Sequence, residues 1–301
     1  MRNPKKVAFL GLGRMGLPMA ANIAGAGFPV VVYNPTRGTA EDFAAATEGV
    51  TVAGSPREAA VGADIVVTML ADEPALRAVY EGPQGLLAGW SPDKVALDMG
   101  TTGPAGTAWL AQAVRVVGGT AVDSPVSGSV KAAETAGLTL MVGGPADVVE
   151  ELRPLLRSMS ATIYHLGDSG AGAVMKLAVN NVIYALGQAV SESLVLAERS
   201  GIDRAEAYEV FCNSAIAAPM VKYRRDNYAS PDTSITQFAL TLAAKDLRLI
   251  TALADEVGAP MPQAAVNLDT AVRAIDQGLG DRDMAAVAVY LRDRTPPQAF
   301  S

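Results

Sequence analysis

The chain has 301 residues, half of them hydrophobic but only 5% aromatic, and carries 24 basic against 31 acidic side chains for a net charge of -7. That length suggests about two domains, and the acidic balance argues against a nucleic-acid partner, which calls for a basic face. One cysteine, Cys212, and one histidine, His165, exclude an internal disulfide and a multi-histidine metal site; no metal is expected.

The segment Met1-Arg2-Asn3-Pro4-Lys5-Lys6 lacks the apolar stretch of a secretory signal. No run of about 18 uncharged apolar residues appears, so no membrane partner is expected. A soluble, cytoplasmic protein is the natural expectation.

Chain order begins with a buried strand predicted over 6–10 and the turn Gly11-Leu12-Gly13-Arg14-Met15-Gly16, which runs into an Ala-rich helix from Leu17. This spacing between strand and helix builds an anion hole for a dinucleotide pyrophosphate. Gly11 permits the tight turn, Gly13 lets backbone approach the phosphates, and Gly16 lets the helix lie close to the strand. The unpaired amides of the helix N-terminus would then face the anion, and Leu12, Arg14 and Met15 are expected with the glycines among the cofactor-binding residues.

A second strand over 29–33 leads to Tyr33-Asn34-Pro35-Thr36-Arg37. An NAD site usually places Asp or Glu here for the ribose hydroxyls. This chain has none. Asn34, Thr36 and Arg37 instead suit a 2′-phosphate through charge-assisted hydrogen bonds, so NADP (NADPH) is expected over NAD.

Further strands are predicted over 64–69, 94–98, 119–122, 138–142 and 162–166, separated by helical stretches. Such alternation implies a parallel sheet with right-handed crossovers. His165 closes one of these strands and reads as structural or surface-lying. From about residue 170 the pattern becomes helical. A long helix is predicted over 172–199, Gly201-Ile202-Asp203 ends it, and 203–293 reads as helices broken at Pro219, Pro231 and Pro260-Met261-Pro262. The tail at Thr295-Pro296-Pro297 should be irregular. The expected fold class is α/β, a Rossmann-type doubly wound sheet followed by a long connecting helix and an all-α domain, with domains at 1–167 and 168–301. A small Ala-rich helical domain often buries its apolar faces against a second copy, which makes a homodimer plausible.

Three later segments carry chemistry. In Asp123-Ser124-Pro125-Val126-Ser127-Gly128-Ser129, the Ser127-Gly128 turn offers a hydroxyl and amides to a carboxylate, although an ordinary turn reads the same way. Lys176 and Asn180 are four apart on one helix face. The apolar neighbours of Lys176 would strip its hydration and suit it to proton transfer; a lysine whose stem packs while its ammonium reaches water fits equally well. Lys245-Asp246 stands in an apolar helical stretch, where by itself it reads as a surface ion pair.

Taken together, Gly11 to Ala20, Asp123 to Gly128, Gly137 to Gly144, Gly172 to Asn181 and Lys245-Asp246-Leu247 resemble, in order and across nearly the whole chain, the β-hydroxyacid dehydrogenase family. That family includes 3-hydroxyisobutyrate dehydrogenases and glyoxylate/succinic semialdehyde reductases. The resemblance implies Lys176 as the catalytic lysine, Asn180 as its substrate-bonding neighbour, and Ser127 and Gly128 as the carboxylate anchor. It also implies Lys245 near nicotinamide and substrate with Asp246 as its partner, and Met69, Leu70 and Thr101 lining the cofactor. Two departures stand out: Gly100 where the family often has Ser, and Ser129 where it often has Gly. The activity implied is reversible hydride transfer between NADP(H) and a small 3-hydroxy acid or its semialdehyde, a substrate with a carboxylate. Imine reductases and reductive aminases are similar in fold and N-terminal motif but commonly carry Asp or Tyr at the position of Lys176. A non-catalytic dinucleotide-binding protein would not need the Lys176, Asn180 and Ser127 set.

Overall fold

The computed structural model describes residues 5–294. The leading Met1 to Pro4 and the expected irregular tail at Thr295-Pro296-Pro297 lie outside these residues. The chain divides into two compact units, one ending at Lys176 and the other starting at Leu177.

In the first unit the strands are β1 Val7–Leu10, β2 Val30–Tyr33, β3 Val50–Val52, β4 Ile65–Thr68, β5 Val95–Asp98, β6 Thr120–Asp123, β7 Val126–Ser127, β8 Leu138–Gly143 and β9 Ser160–Gly167. The helices between them are α1 Gly16–Gly25, α2 Arg37–Ala46, α3 Pro56–Val61, α4 Glu73–Tyr80, α5 Gly103–Val116, α6 Val130–Glu134 and α7 Ala146–Met159. The sheet order is β3-β2-β1-β4-β5-β6-β8-β7, with β9 beside β8. Through β6 every pairing is parallel. The chain order reverses between β1 and β4, and ligands of such sheets bind beyond the strand ends at that crevice. Two apolar layers cover the sheet. Val7, Phe9, Met19, Ile65 and Leu97 pack on one face, and Ala8, Leu10, Val66, Leu76 and Leu110 on the other.

The uniformly parallel expectation fails at one edge. β8 runs antiparallel to β6 and β7, because the chain returns from β6 through only the short β7 and α6 rather than through a full crossover helix. Two short strands were not foreseen, β3 and β7. The end of β9 is exposed, and there His165 Nε2 lies 2.8 Å from the Gly144 carbonyl and 3.1 Å from that of Gly167, the structural role expected of it.

The helix α8, Ala171–Arg199, contains the division between the units. The domain change read from the sequence at 167/168 therefore precedes it. Among the described helices α8 is long and apolar enough to cross a membrane by length and composition, although it buries Asn180, Gln188 and Ser191.

The second unit adds α9 Arg204–Cys212, α10 Pro219–Tyr223, α11 Arg225–Ala229, α12 Leu240–Val257, α13 Pro262–Ala274 and α14 Ala286–Asp293. Asp203 caps α9 by accepting from Ala205 and Glu206 amides, and Pro219 and Pro262 open their helices, where a missing amide costs nothing. The all-helical run is interrupted by a π turn at Ile275–Leu279. A buried ion pair organises one side of this unit. Arg224 Nη1 donates to both oxygens of Asp283 at 2.7 and 2.9 Å. Asp283 also accepts from the amides of Gln237, Phe238 and Ala285.

Candidate active site

The crevice side of the first unit is built around the glycine turn. Gly11 has φ +102° and is buried against the Met69 carbonyl, with Leu70 Cδ2 3.0 Å from where a Cβ would stand. A Cβ on Gly16 would land on the Gly11 carbonyl, so this residue keeps α1 close to the turn. Both glycines are required by the protein's own packing. Gly13 is not: it is exposed, its φ is ordinary, and nothing lies within 4 Å of its missing Cβ. The missing side chain leaves the backbone of the turn open to close approach by a ligand. The N-terminus of α1 has no side-chain cap and no acidic residue in its first turn, which suits an anion. These residues fit a dinucleotide pyrophosphate. Replacing Gly13 by Val should leave the apo melting temperature nearly unchanged and weaken dinucleotide binding at least about tenfold; calorimetry with NADPH and a thermal scan measure both.

Around this turn lie three of the predicted cofactor residues, Asn34, Met69 and Leu70. Met69 and Leu70 follow β4 and contact Gly11. Asn34 Oδ1 accepts from the Leu12 amide at 3.1 Å, and its Nδ2 donates to the Thr36 carbonyl at 3.1 Å. Asn34 therefore ties the end of β2 to the glycine turn. Arg14 is exposed and Met15 half-buried. Arg37 opens α2 and is 69% exposed, paired with Glu41 at 2.7 Å. An exposed pair of this kind is screened by solvent and holds Arg37 only weakly. The half-buried Thr101 follows Gly100, whose Cβ would stand 2.7 Å from the Leu70 carbonyl. A side chain at 100 would therefore require the Leu70 loop to shift.

Two aspartates that sequence reasoning left without roles organise the strand ends. Asp98 accepts from Thr68 Oγ1 at 2.8 Å and Thr102 Oγ1 at 2.9 Å, so it joins the loops after β4 and β5. Asp123, its Cα partner across β5 and β6, binds the start of α8. Burial pushes its carboxyl above the ordinary range, the amides of Gly170 and Ala173 pull it back, and Asp98 adds to the rise. The available signal was an acidic residue closing a buried apolar strand, as in Val95-Ala96-Leu97-Asp98.

Ser127 is the half-buried last residue of β7, paired with Thr139. Gly128 has φ +149°, and a Cβ there would stand 2.8 Å from Leu138 Cδ2. Ser129 caps α6 by accepting from the Ala132 amide, which accounts for a serine where the family often has glycine.

Lys176 and Asn180 sit one turn apart on α8. Lys176 is half-buried, while its neighbours Val174 and Met175 are 44% and 41% exposed. The apolar enclosure expected from local sequence is thus incomplete, because both neighbours lie on the open side of the helix. Asn180 is buried, and its Nδ2 donates to Asp246 Oδ2 at 2.7 Å. Tyr184 OH donates to the same oxygen at 2.6 Å; burial and then Asp246 push this phenol well above its ordinary pKa, so it remains a donor. Lys245 Nζ lies 2.8 Å from Asp246 Oδ1, an ion pair without hydrogen-bond alignment. Lys245-Asp246 is therefore not the surface pair that local sequence suggested. Asp246 is 1% exposed, and it turns the Asn180 carbonyl oxygen away from itself. No cluster of His, Cys, Asp and Glu suited to a metal occurs among the described residues.

Comparison with known proteins gives the family of the chain. Residues 6–167 match the NAD binding domain of 6-phosphogluconate dehydrogenase. Residues 170–291 match the NAD-binding domain of NADP-dependent 3-hydroxyisobutyrate dehydrogenase. The chain is 32% identical to the NAD-dependent L-serine dehydrogenase of Pseudomonas aeruginosa, over 94% of this chain and 96% of that one. It is 33% identical to glyoxylate/succinic semialdehyde reductase 1 of Arabidopsis thaliana, over 94% and 96%. Among solved structures, the 3-hydroxyisobutyrate dehydrogenase of Mycobacterium tuberculosis with L-serine superposes with a TM-score of 0.82 at 32% identity, covering 96% of this chain and 99% of that one. Glycine turn, strand order, lysine helix and whole-length similarity agree: the chain belongs to the β-hydroxyacid dehydrogenase family and is a dinucleotide-dependent oxidoreductase of the 3-hydroxyisobutyrate dehydrogenase type.

Proposed function

We propose that this enzyme reversibly reduces a short aldehyde bearing a carboxylate, such as a semialdehyde or glyoxylate, to the hydroxy acid, with NADPH preferred to NADH. The observation that carries the reading is the pair Lys176 and Asn180 on one face of α8, with Asn180 locked by Asp246 and Tyr184. When bound, the reduced nicotinamide supplies a hydride to the carbonyl carbon. Lys176, as the ammonium, donates its proton to the carbonyl oxygen as negative charge grows there, and regains one from water afterwards. Asn180, its amide nitrogen held by Asp246, offers its oxygen to steady the amine. Ser127 Oγ and the Gly128 amide take the carboxylate and orient the carbonyl. Lys245 adds a positive charge for the anionic ligands. Gly11 to Met15, Met69, Leu70 and Thr101 hold the dinucleotide, and Asn34, Thr36 and Arg37 form its 2′-phosphate end. The active form is a soluble homodimer.

The NADPH preference rests on the missing acid after β2 and on Arg37. Initial rates with succinic semialdehyde, glyoxylate and a cyclic imine, each with NADPH and NADH, test the proposal. NADPH with a carboxylate-bearing aldehyde should give the highest kcat/KM. Arg37→Ala should lower the NADPH value about tenfold and leave the NADH value nearly unchanged, the loss of one charge-assisted phosphate contact. An unaltered cofactor ratio in that variant removes the NADP assignment, and faster turnover of the imine removes the substrate class.

A further inference from the structure

The start of α8 is held by a carboxylate from another element. Asp123 closes β6 and is 2% exposed. Its Oδ1 accepts from the Gly170 amide at 2.7 Å, and its Oδ2 from the Ala173 amide at 2.8 Å. A helix start leaves four amides without intrahelical acceptors, and α8 has no acidic residue in its own first turn. The space around the carboxylate is kept clear. A Cβ on Gly143 would stand 2.8 Å from Asp123 Oδ1, and one on Gly172 would stand 2.8 Å from Oδ2. Gly172 thus marks where the carboxylate meets the helix surface. Lys176 follows four residues later on the same face, and helical side chains lean back toward the N-terminus. Lys176 is thus one helical turn beyond the residue at which Asp123 meets α8.

We infer that Asp123 is a positioning residue for Lys176: it pins the first turn of α8 to the end of β6 and sets a fixed negative charge on the face that carries the amine. The inference rests on Lys176 being the proton donor. A helix N-terminus is electropositive and by itself favours the neutral amine; the carboxylate opposes that and favours the ammonium needed for reduction. The other ionisable groups on the elements around Asp123 are Asp98 on β5, Tyr164 and His165 on β9, Asp168 before α8 and, in the first turns of α8, Lys176, while β8 contributes none.

Asp123→Asn keeps the shape and removes the charge. Competitive acetylation of the lysines across pH, read by mass spectrometry, titrates Lys176 whatever its part in turnover, and hydrogen exchange reads residues 169–175. In the variant the Lys176 midpoint should fall by about half a pH unit or more. Exchange over 169–175 should quicken by about tenfold or more, with the rest of the unit unchanged, since two helix-capping bonds are weakened. The kcat should fall by about 10–100-fold as the donor is misplaced, with the NADPH Kd within about twofold of the parent. Asp123→Glu, which restores the charge but not the length, should recover the midpoint and not the kcat. An unchanged midpoint with unchanged kcat overturns the inference, as does faster exchange spread evenly over the unit. In the parent protein, amides of Gly170 and Ala173 that exchange as fast as an open turn overturn it even where neither variant folds. If Lys176→Ala retains turnover, the proton-donor reading fails on its own, and the midpoint and exchange data still decide whether Asp123 pins the helix.

Discussion

Lys176→Ala is expected to lower kcat by about two to four decades, the usual contribution of a positioned general acid, while NADPH binding stays near that of the parent enzyme. The glycine turn, the Asn34 bridge and the loops after β4 and β5 that Asp98 joins are built without the Lys176 side chain. Cofactor affinity therefore has no reason to change. The loss falls on the step in which the carbonyl oxygen gains charge. Lys176→Arg serves as a control. It keeps a cation on α8, but a guanidinium does not give up its proton in proteins, so it should rescue substrate KM and leave kcat low. Single-turnover measurement of nicotinamide absorbance separates the hydride step from product release. Turnover within a few-fold of the parent in the alanine variant would end the assignment of Lys176.

The second large effect is on the stability of the second unit. Asp283→Ala should destabilise the second unit by about 3–5 kcal/mol, the range for breaking a buried ion pair from one side. Arg224 and Asp283 are 7% and 6% exposed. Removing the carboxylate leaves a buried guanidinium uncompensated and strips the acceptor from the amides of Gln237, Phe238 and Ala285. Urea unfolding followed by far-ultraviolet circular dichroism reads the change. The double variant Arg224→Met with Asp283→Leu should recover much of the loss, because two apolar groups leave no unpaired charge. A single variant as stable as the parent would show that water reaches the pair and that it is not a structural knot.

The two expectations differ in how far the sequence foretold them. That Lys176 and Asn180 share a helix face was legible because a spacing of four needs only local geometry, while their roles came from the family resemblance. The glycine turn was legible because its strand and helix are adjacent in sequence. Asp283 and Arg224 are 59 residues apart, and no local pattern joins them. Asp246 was misjudged for a related reason. An acid beside a lysine on a helix reads as solvated, yet it is buried by Asn180 and Tyr184 from α8. Asp98 and Asp123 were visible as acids ending strands, but their targets in other loops were not. β7 is two residues long, and β3 is only partly buried, so neither carries a usable alternation.

The sequence by itself determined the strand, turn and helix that receive the dinucleotide, the parallel strand succession through β6 apart from β3, and the helix bearing Lys176, because each depends on residues within a few turns of one another. Only the tertiary structure decided which carboxylates are buried, which amide each one holds, and which way β8 runs. Those outcomes depend on partners distant in the chain, and burial of a charge is set by what packs over it rather than by its neighbours in sequence.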